Sequence, residues 1–85
     1  MNKPKNYRVE WDVIEEIAVL HESQAGWTKE LNLISWNGDE PKYDVRWWNP
    51  DKTRIGKGFT FTAGELHLLR DIIVHKMPDI VNRER

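Results

Sequence analysis

"RIGKGFTFTAGELHLLRDII", residues 54–73, is where the chain changes period. Up to Phe61 it alternates in the two-residue rhythm of a strand, with Gly56 and Gly58 marking a bulge or a close backbone approach. At Thr62 the rhythm ends. "TAGE" is a capping box: the Thr62 hydroxyl can accept from the Glu65 amide while the Glu65 carboxylate reaches back to the Thr62 amide. Phe61 and Leu66 then stand at the two positions of a hydrophobic staple. The pattern predicts a helix from Ala63 to about Lys76, stopped by Pro78. At about 100° per residue, Leu66, Leu68, Leu69, Ile72, Ile73, Val74 and Met77 cover well over half its circumference. One small sheet needs a narrower stripe, so the surplus predicts a homodimer with Leu66, Leu69, Ile73 and Met77 at the interface.

Reading back towards the N-terminus, turn signals divide the chain into short strands. "KYDVRWW" (42–48) is bounded by "NGDEP" before it, with Asn-Gly the strongest short hairpin signal, and by "NPDKT" after it, with Pro50 set for the i+1 position of a turn. "TKELNLISW" (28–36) alternates in the same way and follows a turn at "SQAGW". Further back, "VEWDVIEEIAVL" fits a strand or a helix; the branched "IAVL" and the turn after it favour a strand from about Ile14 to Glu22. The predicted fold is α+β: a four-stranded antiparallel meander followed by one C-terminal helix. At 85 residues the chain is one domain, with an ordered core of about 10–77 and loose ends.

Composition excludes several classes of function. There is no cysteine, hence no disulfide and no thiolate metal site. No apolar run is long enough to span a bilayer, and "MNKPKNYRVEW" lacks the apolar core of a signal peptide. A cytoplasmic protein without cofactor or metal is expected. His21, His67 and His75 are scattered, Glu15 and Glu16 point to opposite faces of a strand, and no nucleophile–base arrangement is visible, so no catalytic residue is assigned. The net charge of -1 conceals an uneven distribution. Glu10 to Glu22 holds five acids and no Lys or Arg, whereas Lys42, Arg46, Lys52, Arg54 and Lys57 face only Asp44 and Asp51 over 42–57.

Strand alternation separates the adjacent Trp47 and Trp48. Tyr43, Val45 and Trp47 form an apolar face suited to packing under the helix. Lys42, Asp44, Arg46 and Trp48 form a polar face carrying one large ring, expected to be open to solvent. A tryptophan beside an arginine on a basic sheet face suits a single-stranded nucleic acid: cations contact phosphates, and each exposed ring offers a stacking plane. The competing reading is a protein interaction module that uses the same aromatic-rich face.

The run "WTKELNLISWNG…PKYDVRWW…GKG" resembles the YdbC-like bacterial proteins, of the single-stranded DNA-binding family of the transcriptional coactivator positive cofactor four. The similarity extends over about Ile14 to Ile73. It implies a strongly curved four-stranded antiparallel sheet, one C-terminal helix, a homodimer, and binding of single-stranded DNA with little sequence preference rather than catalysis. Trp36 resembles the stacking aromatic that ends the second strand, Arg46 the arginine of the third strand, and Trp48 the aromatic that follows it, with Trp47 the alternative if the strand is bulged. Lys57 resembles the lysine preceding the family glycine, here Gly58, and Lys42 and Arg54 fall near basic contact positions. The resemblance implies a DNA-binding, coactivator-like role in transcription, replication or repair. RNA is left open as a ligand, because stacking and phosphate contacts serve both. Two departures stand out: "NGDEP" carries Asp39 and Glu40 where the coactivator turn is short and lysine-bearing, and the coactivator's serine-rich arm has no counterpart.

Overall fold

The computed structural model describes residues 9–77 and 79–80, so the arm and tail expected to be loose lie mostly outside the described residues. Four strands, β1 (Trp11–Glu22), β2 (Thr28–Trp36), β3 (Lys42–Trp48) and β4 (Ile55–Phe61), precede one helix, α1 (Ala63–Lys76). The strands form one sheet in the order β1-β2-β3-β4, each antiparallel to the next. The α+β meander is therefore the fold. The first strand begins three residues earlier than Ile14, because the alternation at Trp11 and Val13 continues as pairing with Trp36 and Ile34.

The turn chemistry follows the residues. Asn37 and Gly38 both have positive φ, 53° and 78°, as the two central residues of a mirror-image (type I′) turn require, here within a longer β2–β3 loop. The Asp39 amide closes that turn on the Trp36 carbonyl at 2.8 Å. Pro50 sits at i+1 of the next turn, closed by the Lys52 amide on the Asn49 carbonyl at 3.0 Å. At the start of α1 both arms of the capping box are made: the Glu65 amide donates to Thr62 Oγ1 at 3.0 Å, and the Thr62 amide donates to Glu65 Oε1 at 2.9 Å.

The sheet is strongly bent. Trp48 pairs with Thr28 and Trp11 pairs with Trp36, at opposite ends of β2 and so about 26 Å apart along an extended strand. Yet the Trp11 and Trp48 ring centroids are 5.6 Å apart. A flat sheet cannot bring them together. Three register shifts in β1, between Val13 and Glu15, Glu16 and Ala18, and Val19 and His21, supply the bend, since each extra residue kinks its strand.

Curling inverts the expected relation between polarity and burial. Cross-strand partners share a face, so Glu30, Asn32, Ile34 and Trp36 of β2 lie with Asp44, Arg46 and Trp48 of β3 and with Trp11 of β1. This is the concave face. Ile34 and Trp48, the buried apolar side chains among the described residues, lie here together with buried Glu30, Asn32 and Asp44. The expectation of an open face carrying Trp48 is thus overturned: the ring is 2% exposed, because the bend folds the sheet over it. The opposite face, with Leu31, Leu33, Tyr43, Val45 and Trp47, is half-buried rather than core. Helix α1 has no buried residue; Leu68, Leu69 and Val74 are exposed along it, and Met77 just past its end is exposed too.

Candidate nucleic-acid interface

The concave face is organised around two ion pairs. The Asp44 carboxylate, fully buried, accepts from Arg46 Nε at 2.7 Å and Nη2 at 2.9 Å, and from Thr60 Oγ1 at 2.9 Å. Arg46 Nη1 donates to the Gly56 carbonyl at 3.2 Å. A guanidinium has five N–H donors, so this arrangement orients the group while leaving donors for an anion. Its central carbon lies 4.7 Å from the Trp36 ring centroid, within cation–π range. Gly58 makes this possible, because a Cβ there would lie 2.0 Å from the Arg46 Cβ.

The second pair joins Lys52 to Glu30. Lys52 has φ 63°, a left-handed conformation that turns its side chain back onto β2. The Glu30 carboxylate also accepts from Thr28 Oγ1, and from Asn32 Nδ2 at 3.2 Å. Burial pushes the Glu30 carboxyl up, but hydrogen bonds from Lys52, Thr28 and Asn32, with the Lys52 charge, outweigh it and hold it below its ordinary range. Among the described residues, Asn32 Oδ1 and the Nε1 atoms of Trp36 and Trp48 are buried with no hydrogen-bond partner in the protein.

The residues expected to form the site are divided by this geometry. Trp36, Arg46 and Gly58 come together on the concave face, and Trp48 lies there beneath the bend. Lys42 and Arg54 are exposed at the ends of β3 and of the β3–β4 loop. Lys57 lines a groove of about 250 Å³ with Lys29, Trp47 and Phe59, and Arg46 and Gly58 border this groove as well. In that groove Lys29 Nζ lies 5.1 Å from the Trp47 ring centroid, and His21 packs edge-on to the same ring at 6.0 Å. Sequence reading missed Trp11, Glu30, Asn32 and Lys52. Trp11 carried a weak signal, its alternation with Val9 and Val13; the Glu30–Lys52 pair, 22 residues apart in sequence, carried none.

Comparison with known proteins gives this chain a relative. No family model matches it. An uncharacterized protein of Treponema pallidum (strain Nichols) is 46% identical over 63 residues, covering 74% of this chain and 74% of its own length. The chain belongs to that protein's family. Among the described residues, no helix is long and apolar enough to cross a membrane.

Proposed function

We propose that the protein binds single-stranded nucleic acid, chiefly DNA, on the concave face of its bent sheet, and that it does so as a dimer. The observation that carries this reading is the Arg46 guanidinium held over the Trp36 ring by a buried carboxylate. Stacked cation and ring are what a base and its phosphate require. Lys42 and Arg54, exposed nearby in sequence, would add phosphate contacts. The resemblance to the YdbC-like and positive cofactor four proteins supports the same ligand. For the other face, the half-buried sheet side chains and the apolar side of α1 suit a second copy of the chain.

Fluorescence titration with oligo-dT, the matching RNA and duplex DNA at two salt concentrations tests the reading. Tryptophan quenching by the single strands, weakening as salt rises, is the expected result. Lys42→Ala with Arg54→Ala should lower the salt slope by about 0.7 for each phosphate that the variant no longer neutralises. No quenching by any single strand, at either salt concentration, would sink the reading.

A further inference from the structure

The concave face is occupied by the chain itself. Trp11 packs edge-on against both rings that flank the site, 6.2 Å from Trp36 at 61° and 5.6 Å from Trp48 at 76°. Farther along the same strand Glu16, opposite Asn32, lines a pocket together with Trp11, Trp48 and Lys52. A ring followed by an anion, laid along a face of indoles with the ion-paired Arg46 and Lys52 among them, has the chemistry of a base followed by a phosphate. We infer that the N-terminal half of β1 is an internal stand-in for nucleic acid, and that a bound strand displaces Trp11. This rests on the nucleic-acid reading above and adds a competitor to it.

Three observations make the strand end releasable. β1 is an edge strand with a neighbour on one side only, and strand ends open most easily. The segment Trp11–Val13 pairs with Ile34–Trp36 and is separated from the rest of β1 by the first register shift, where the ladder is already broken. Beyond it, the clasp between Glu10 and Asn37 is exposed: the Asn37 amide donates to the Glu10 carbonyl at 2.7 Å, and the Glu10 amide to Asn37 Oδ1 at 2.8 Å. The closed arrangement also leaves the indole N–H groups of Trp36 and Trp48 buried without partners, a cost that opening to a ligand or solvent relieves.

Titration of the full chain with oligo-dT distinguishes the possibilities. Trp11→Ala should bind about 3- to 10-fold more tightly than the parent, since removing an internal competitor raises the competent fraction. Glu16→Gln keeps the ring and alters an exposed side chain; it should tighten binding at low salt and match the parent at high salt. Should Trp11→Ala fail to fold, amide hydrogen exchange on the parent decides: Trp11 to Val13 should exchange faster with oligo-dT bound while the remaining strands slow. Equal or weaker binding by a folded Trp11→Ala, or undiminished protection at Trp11 in the complex, overturns the inference and leaves the nucleic-acid reading standing. A parent that binds no oligonucleotide overturns both.

Discussion

Trp47 and Trp48 are adjacent, equal in size and opposite in environment. Alternation separates them, but what each does depends on which face the sheet curls around, and it curls around the polar one. Trp48→Ala should therefore cost about 3–5 kcal/mol in chemical denaturation, as expected for a large ring removed from a closed site. Trp47→Ala, at a half-buried position, should cost clearly less in the monomer. Equal losses would contradict the burial pattern. Arg46 is equally dependent on its surroundings: its side chain is 15% exposed and its partner Asp44 fully buried, so Arg46→Glu would set two carboxylates against each other and disrupt the fold. Gly58→Ala should destabilise by about 3 kcal/mol or more, since overpacking against backbone and a positioned side chain has no easy relaxation. A thermal melt within a degree or two of the parent would refute this.

At the level of elements, the local signals in the sequence were the dependable ones. The Thr62–Glu65 box, the left-handed Asn37-Gly38 pair and Pro50 at i+1 each act through bonds a few residues apart, and each is made as its residue types demand. The start of β1 was legible only in part, because its first turn of alternation is confirmed by pairing with a strand more than twenty residues away. The clip between the β3–β4 loop and β2 gives an acid-dependent prediction. The Glu30 carboxyl is held below its ordinary value of 4.5, so the stabilisation it supplies is complete above that pH and is lost as the pH falls through its lower folded value. Unfolding midpoints should drop below about pH 4.5, and Glu30→Gln should flatten that part of the curve. An unchanged acid limb in the variant would show that other carboxylates govern it.

For the whole molecule the decisive fact is how little apolar surface the single chain buries. Two apolar side chains among the described residues are buried, while Phe59 is 72% exposed and Leu69 41%. Exposed apolar surface of this kind suits the proposed dimer, formed over α1 and the apolar sheet face. Sedimentation should give a dimer at micromolar concentration, and Leu69→Glu should shift it towards monomer while leaving the strand content by circular dichroism in place. A parent that sediments as a monomer would overturn the dimer. Strand periodicity, turn residues and the capping box were enough to write down four strands, their order and the helix, because those signals act between near neighbours. The pairing of Glu30 with Lys52 comes from the folding back of the β3–β4 loop, and the burial of Trp48, the seating of Arg46 over Trp36 and the approach of Trp11 to both rings come from the bend of the sheet. That bend is set by where β1 is bulged against β2, a long-range register that residue spacing does not encode.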